Sequence, residues 1–172
     1  MHMILRIIFL FLKKPFMKPA GVYDTISIKM RVMPVDLDIL WHVNNGMYFS
    51  YMDFGRWTMV FRNGIFDQCK KHGWYAVVAG ETIKFKRSLL PWAKFTLETK
   101  TIAQDDKYFF IQQKFLVKGE LMATGLVKVR FMKKKGGTVS TEEMLKTFNL
   151  PYENNGTDLG NEWFDLEKKY LA

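Results

Sequence analysis

The stretch "NNGMYFSYMDFGRWTMVFRNG", residues 44–64, constrains this chain more than any other. It shows no alternation of period two and is long enough for a helix. Tyr48, Tyr51, Met52, Gly55 and Met59 fall on one face, and Phe54, Trp57 and Phe61 cover much of the rest. Only Ser50, Asp53, Arg56 and Arg62 break the apolar surface. A helix that is apolar on most sides must be buried. The rest of the chain therefore has to wrap it. Asn63-Gly64 is a stop signal, and "IFDQCKKHG" reads as a second short helix ending at Gly73.

Strands flank this helix. Ile26, Ile28, Met30 and Val32 alternate with Ser27, Lys29 and Arg31, and Pro34 ends the run. After Trp74 come "YAVVAGETIKFKRSL", "AKFTLETKTIA", "YFFIQQKFLV" and "LMATGLVKVRFM". "QDDK" and Lys118-Gly119-Glu120 read as turns between them. The order predicts an α+β fold: one long central helix wrapped by an antiparallel sheet of about five strands. The sheet covers the helix on one side only, so the remaining apolar surface suits a second copy of the chain. Residues 22–135 would form this domain. Residues 136–172 would add a helical extension, with Ser140 or Thr141 capping "STEEML" and a last helix in "NEWFDLEKKYLA".

Residues 1–21 form an apolar stub, broken by Arg6 and followed by Lys13, Lys14 and Lys18. It is too short to span a bilayer and lacks a small-residue cleavage site. Two readings stand: a segment lying in a membrane interface, or a helix packed on the protein. The single cysteine, Cys69, excludes an internal disulfide framework and fits a cytoplasmic setting, peripheral to a membrane if the stub binds lipid. Asn155-Gly156-Thr157 is formally a glycosylation sequon, but secretory features are otherwise lacking.

Charge narrows the partners. The total is +9, and from Thr138 onward seven acids face three lysines, so that tail is −4 and residues 1–137 carry +13. Such a body favours an anionic partner. No nucleic-acid recognition motif accompanies it, so nucleic acid is not expected. HExxH, CxxC, EF-hand spacing, GxSxG and glycine-rich phosphate loops are all missing from the sequence, which argues against metal, serine and nucleotide chemistry.

The polar chemistry concentrates in "DLDILWHVNN", residues 36–45. Asn44 or Asn45 can cap the helix, leaving the N–H groups of Asn45, Gly46 and Met47 free at its positive end. Those donors suit a developing oxyanion, and Gly46 admits close approach to the backbone. An upstream carboxylate completes what acyl transfer needs. From these residues alone, a purely structural turn and cap stands equally.

"MPVDLDILWHVNNGMYFSYMDFGR" resembles the signature of the 4-hydroxybenzoyl-CoA thioesterase-like family of the hotdog superfamily. D-x-D is followed by H-V-N-N and a helix with a tyrosine, an acid and an arginine, matched by Asp36, Asp38, His42, Val43, Asn44, Asn45, Tyr48, Asp53 and Arg56. An F-[KR]-R-S-L strand end is matched by Phe85 to Leu89. The likeness covers about residues 22–135. It implies a hotdog fold, homodimers or homotetramers, and hydrolysis of acyl-CoA, with coenzyme A as part of the substrate and no resident cofactor or metal. It puts the catalytic set at Asp38, His42, Asn45 and Gly46, with Asp38 as nucleophile or general base and Asn45 near the oxyanion. Substrate contacts fall on Asn44 and Tyr48, and on Lys84, Lys86 and Arg87 for the phosphates, with Lys128 and Arg130 as further strand cations. Tyr48, Tyr51 and Trp57 would line an acyl tunnel or aryl slot. The family usually has glycine where Trp41 stands, and its other branch puts the catalytic acid where Asp53 stands, here read as an ion-pair partner of Arg56. The alternative from another class is a non-catalytic hotdog protein that binds acyl chains at a membrane surface.

Overall fold

The computed structural model describes residues 2–170, with side chains from Ile7 to Lys169. The apolar stretch 44–64 forms α2, Asn45–Arg62, started by the Asn44 cap. The sequence-predicted face of Tyr48, Tyr51, Met52, Gly55 and Met59 is buried. Five antiparallel strands wrap it: β1 (Ile26–Arg31), β2 (Trp74–Phe85), β3 (Lys94–Gln104), β4 (Phe109–Val117) and β5 (Glu120–Lys133). Their order is β1-β3-β4-β5-β2, and a two-residue β6 (Thr138–Val139) pairs with β5. Lys118 and Gly119 both take positive φ in the β4–β5 turn, which matches the twist of a two-residue hairpin.

The core has two parts. One lies between α2 and the sheet, with Tyr51, Met52, Phe95, Leu97, Phe115 and Val127. Here the helix comes very close to the strands: a Cβ on Gly55 would sit 2.7 Å from both Gln113 Nε2 and Thr99 Oγ1. The second part joins α3 (Ile65–His72) to Trp74, Phe109, Phe131, Val139 and α4 (Thr141–Lys146). Residues beyond 136 thus contribute to the core as well as extending it. The last helix, α5 (Thr157–Tyr170), starts four residues before the stretch "NEWFDLEKKYLA". Its Trp163 rests on Gly80, and Glu167 holds the buried Lys128 at 2.8 Å.

The N-terminal stub is helical from His2 to Lys13, α1. Leu10 is buried, and the Phe11 ring packs on Trp57, Phe61 and Phe66. Lys14 pairs with Asp67. Ile8, Phe9, Leu12 and Phe16 remain exposed. One side of α1 therefore packs on the domain and the other faces outward. Among the described residues, no helix is long and apolar enough to cross a membrane.

Candidate active site

The segment between β1 and α2 folds into a small hairpin. Leu37 bridges Val43, Asp38 N–H donates to His42 C=O at 2.9 Å, and Trp41 N–H donates to Asp38 C=O at 3.1 Å. This is a tight turn closed by a residue in the left-handed region, and Trp41 takes it with φ 60°. Tryptophan thus holds a torsion that glycine takes freely, at a cost of about 1–2 kcal/mol.

The two acids do different jobs. Asp36 is buried, and its Oδ2 accepts from Met33 N–H at 2.8 Å and from the Tyr51 hydroxyl at 2.7 Å. Its carbonyl accepts from Asn44 N–H at 2.9 Å, which ties the loop to the start of α2. Asp38 is half-buried. Its Oδ1 accepts from Leu40 N–H at 2.9 Å and His42 N–H at 3.2 Å. Its Oδ2 accepts no hydrogen bond from the described residues. One oxygen thus holds the carboxylate in place, and the other is left for chemistry.

The helix start departs from expectation. Gly46 N–H donates to Asn44 Oδ1 at 2.8 Å, and Met47 N–H donates to Asn44 C=O at 2.8 Å. Two of the three expected oxyanion donors are therefore taken by the cap, because Asn44 supplies both a side-chain and a main-chain acceptor. Asn45 N–H keeps no acceptor among the described residues. Asn44 itself is exposed, but its oxygen is committed to Gly46.

Other candidates separate. His42 acts on Asp38 through its main chain, and its imidazole makes no hydrogen bond among the described residues. Tyr48, expected at a substrate contact, lies in the buried core. Its hydroxyl accepts from Leu89 N–H at 3.0 Å, its ring meets Phe85 and Phe115, and burial pushes the phenol up despite that hydrogen bond. Tyr51 is likewise buried, under Asp36. Lys84, Lys86 and Arg87 are exposed at the Phe85 end of β2, with Arg87 paired to Glu120 at 2.7 Å. Lys128, expected as a further strand cation, is buried and paired to Glu167 at 2.8 Å.

Sequence reasoning missed two features. The first is a cavity of about 430 Å³ between α2, α3 and strands β2, β3, β4 and β5. Trp57, Phe66, Trp74, Ile111 and Phe131 line it, Val78 on β2 borders it, and Asp53 and Arg56 mark one end. Trp57, an expected tunnel residue, is one of its walls, and the others come from segments far apart in the chain. The second is Glu81, whose carboxylate lies 2.5 Å from Arg56 Nη1. Arg56 also donates to Gln113 Oε1 at 3.1 Å and, at the 3.4 Å limit, to Asp53. Burial raises the Glu81 carboxyl, Arg56 opposes that, and Asp53 adds to it.

Among known proteins, a profile of the thioesterase-like superfamily matches residues 32–153. Protein THEM6 of Xenopus laevis is 40% identical over 85 residues, which are 49% of this chain and 41% of that protein. The chain thus spans less than half the length of this relative. Among solved structures, the YbaW probable thioesterase from Escherichia coli aligns with a TM-score of 0.66 at 20% identity, covering 71% of this chain and 96% of that one. The gentisyl-coenzyme A thioesterase BH1999 aligns with a TM-score of 0.59 at 19% identity, covering 70% and 99%. The hotdog fold expected from the sequence is borne out.

Proposed function

Because the chain belongs to the thioesterase-like superfamily, we propose that it hydrolyses an acyl-CoA thioester to the free acid and coenzyme A. The observation that carries this reading is the Asp38 carboxylate. One oxygen is held by two N–H groups, and the other accepts no hydrogen bond among the described residues, in the loop that leads into α2. Asp38 either attacks the thioester carbon or takes a proton from the attacking water. The carbonyl oxygen gains charge and is held by Asn45 N–H at the positive end of α2. The thiolate leaves and is protonated by solvent, and water supplies the hydroxyl of the acid. Lys84, Lys86 and Arg87 supply positive charge for the coenzyme A phosphates, in keeping with the likeness to a gentisyl-coenzyme A thioesterase.

The acyl group belongs in the apolar cavity, which has the size range of a small-molecule site. In one chain the cavity starts at Asp53, eight residues along α2 from Asn45, or about 12 Å at 1.5 Å per residue. A second copy shortens that path. β2 is a sheet edge, twelve residues long, with Tyr75 and Val78 exposed. Such an edge is covered by pairing. Antiparallel pairing of two β2 strands lays the Phe85 end of one on the Trp74 end of the other. The Tyr48–Phe85 ring contact puts the α2 start at the first of these ends, and Trp74 puts the cavity at the second. Each Asp38 then serves the partner's cavity. Sedimentation of the native protein should give twice the 20.3 kDa chain mass. Full turnover by a species of single-chain mass contradicts the shared site.

The exposed side of α1 suits a lipid interface, so we place the protein peripherally at a membrane. The catalytic reading is tested by thiol release across short, long and aromatic acyl-CoAs. Release is expected, greatest for apolar chains that fill the cavity. Binding of these thioesters without release from any of them sinks the reading.

A further inference from the structure

We propose that the loop face carrying Trp41 and Trp92 docks on an anionic lipid surface, which turns the mouth of the Asp38 loop toward the bilayer. Two tryptophans stand where turns favour glycine. Trp41 closes the Asp38–Trp41 turn with φ 60°. Trp92 follows Pro91 in the turn closed by Ala93 N–H on Leu90 C=O at 3.2 Å, and its φ is 62°. A proline-led turn with positive φ at its third residue is glycine's place. Both indoles are exposed, at 71% and 56%, and neither stacks on another aromatic ring among the described residues. Left-handed torsions on bulky residues are unfavourable, and no aromatic stacking among the described residues offsets them at these two.

The two loops lie side by side. Val43 N–H donates to Leu89 C=O at 3.2 Å, and Val32 N–H donates to Ala93 C=O at 3.0 Å. Val35, Ile39, Leu40 and Leu90 extend the apolar surface, and Ile39 is 94% exposed. Protruding apolar tips of this kind insert into a fluid interface more readily than they fill a shaped protein groove. Paired tryptophans with aliphatic neighbours are the side chains that settle at a lipid headgroup level.

Charge selects the partner. Residues 31–45 and 84–94 carry Arg31, Lys84, Lys86 and Lys94, with Arg87 paired to Glu120, against Asp36 and Asp38. Asp36 is buried against Tyr51, and Asp38 Oδ1 is held by loop N–H groups. A second copy would bring the same cations face to face. Anionic headgroups complement them. This surface is separate from α1, which packs on the opposite half of α2.

The test uses the full chain and its Trp41→Gly/Trp92→Gly double variant, with α1 intact in both. Glycine suits both torsions, so the variant's melting temperature should stay equal or rise. Its partition onto phosphatidylcholine vesicles containing phosphatidylserine should fall about tenfold or more. The native chain should prefer these vesicles to phosphatidylcholine alone. Unchanged partition, or no preference for the anionic vesicles, overturns the proposal. So does a drop in oligomeric mass of the variant in lipid-free buffer, which would make this face a contact between copies.

Discussion

Replacing Arg56 by methionine is expected to destabilise the fold by roughly 3–5 kcal/mol, the cost of leaving a buried partner charge uncompensated. Arg56 is among the most deeply buried charges of the chain, and it holds Glu81 at 2.5 Å and Gln113 at 3.1 Å under α2. Methionine fills similar space but offers no donor to either. The loss should depend on pH. Burial already raises the Glu81 carboxyl above its ordinary 4.5, and Arg56 restrains that rise. A raised carboxyl contributes stability that is fully present below the ordinary value and is lost as pH rises through the folded value. Without Arg56 the folded value climbs further, so Glu81 can fold protonated over a wider range. The variant's deficit should therefore be largest near neutrality and shrink toward pH 4. Urea unfolding at the two pH values measures it. A deficit below about 1 kcal/mol, or one independent of pH, contradicts the account.

The central helix was legible because its apolar residues leave no solvent face, which forces burial whatever the partner is. The strands of the inner sheet were legible through alternation. β2 was less so, since it lies at an edge and a register shift between Val78 and Gly80 breaks its alternation. The docking of α1 was one of two open readings, because the face holding Leu10 and Phe11 and the face holding Phe9 and Leu12 are equally apolar in the sequence. Helix α5 starts at Thr157, earlier than its apolar residues signal.

In the site, the D-x-D spacing placed Asp36 and Asp38 in one loop, and the family resemblance chose between them. The sequence does not show that Asn44 uses two oxygens to occupy Gly46 and Met47, so the free donors at the helix start were overcounted. Glu81 reads as an ordinary strand acid until the bulge turns it under Arg56. The cavity is invisible in one dimension, because its walls come from α2, α3 and four strands. Trp41 reads as a departure, and only its φ shows that the glycine-type turn survives.

The central claim is that Asp38 supplies the reacting carboxylate, and Asp38→Asn isolates it. Asparagine keeps an Oδ1 that can accept from Leu40 and His42 N–H, so the turn, the Asn44 cap and the melting temperature should all be retained. What disappears is the charged second oxygen, the nucleophile or base. Removing such a group costs about 10²–10⁴ in rate, while acyl-CoA binding through the cavity and the strand cations should persist. The decisive measurement is thiol release by the native chain and by Asp38→Asn, side by side, with acyl-CoA affinity measured on both. The account predicts turnover reduced at least about a hundredfold with affinity nearly unchanged. Native-like turnover in Asp38→Asn would contradict it.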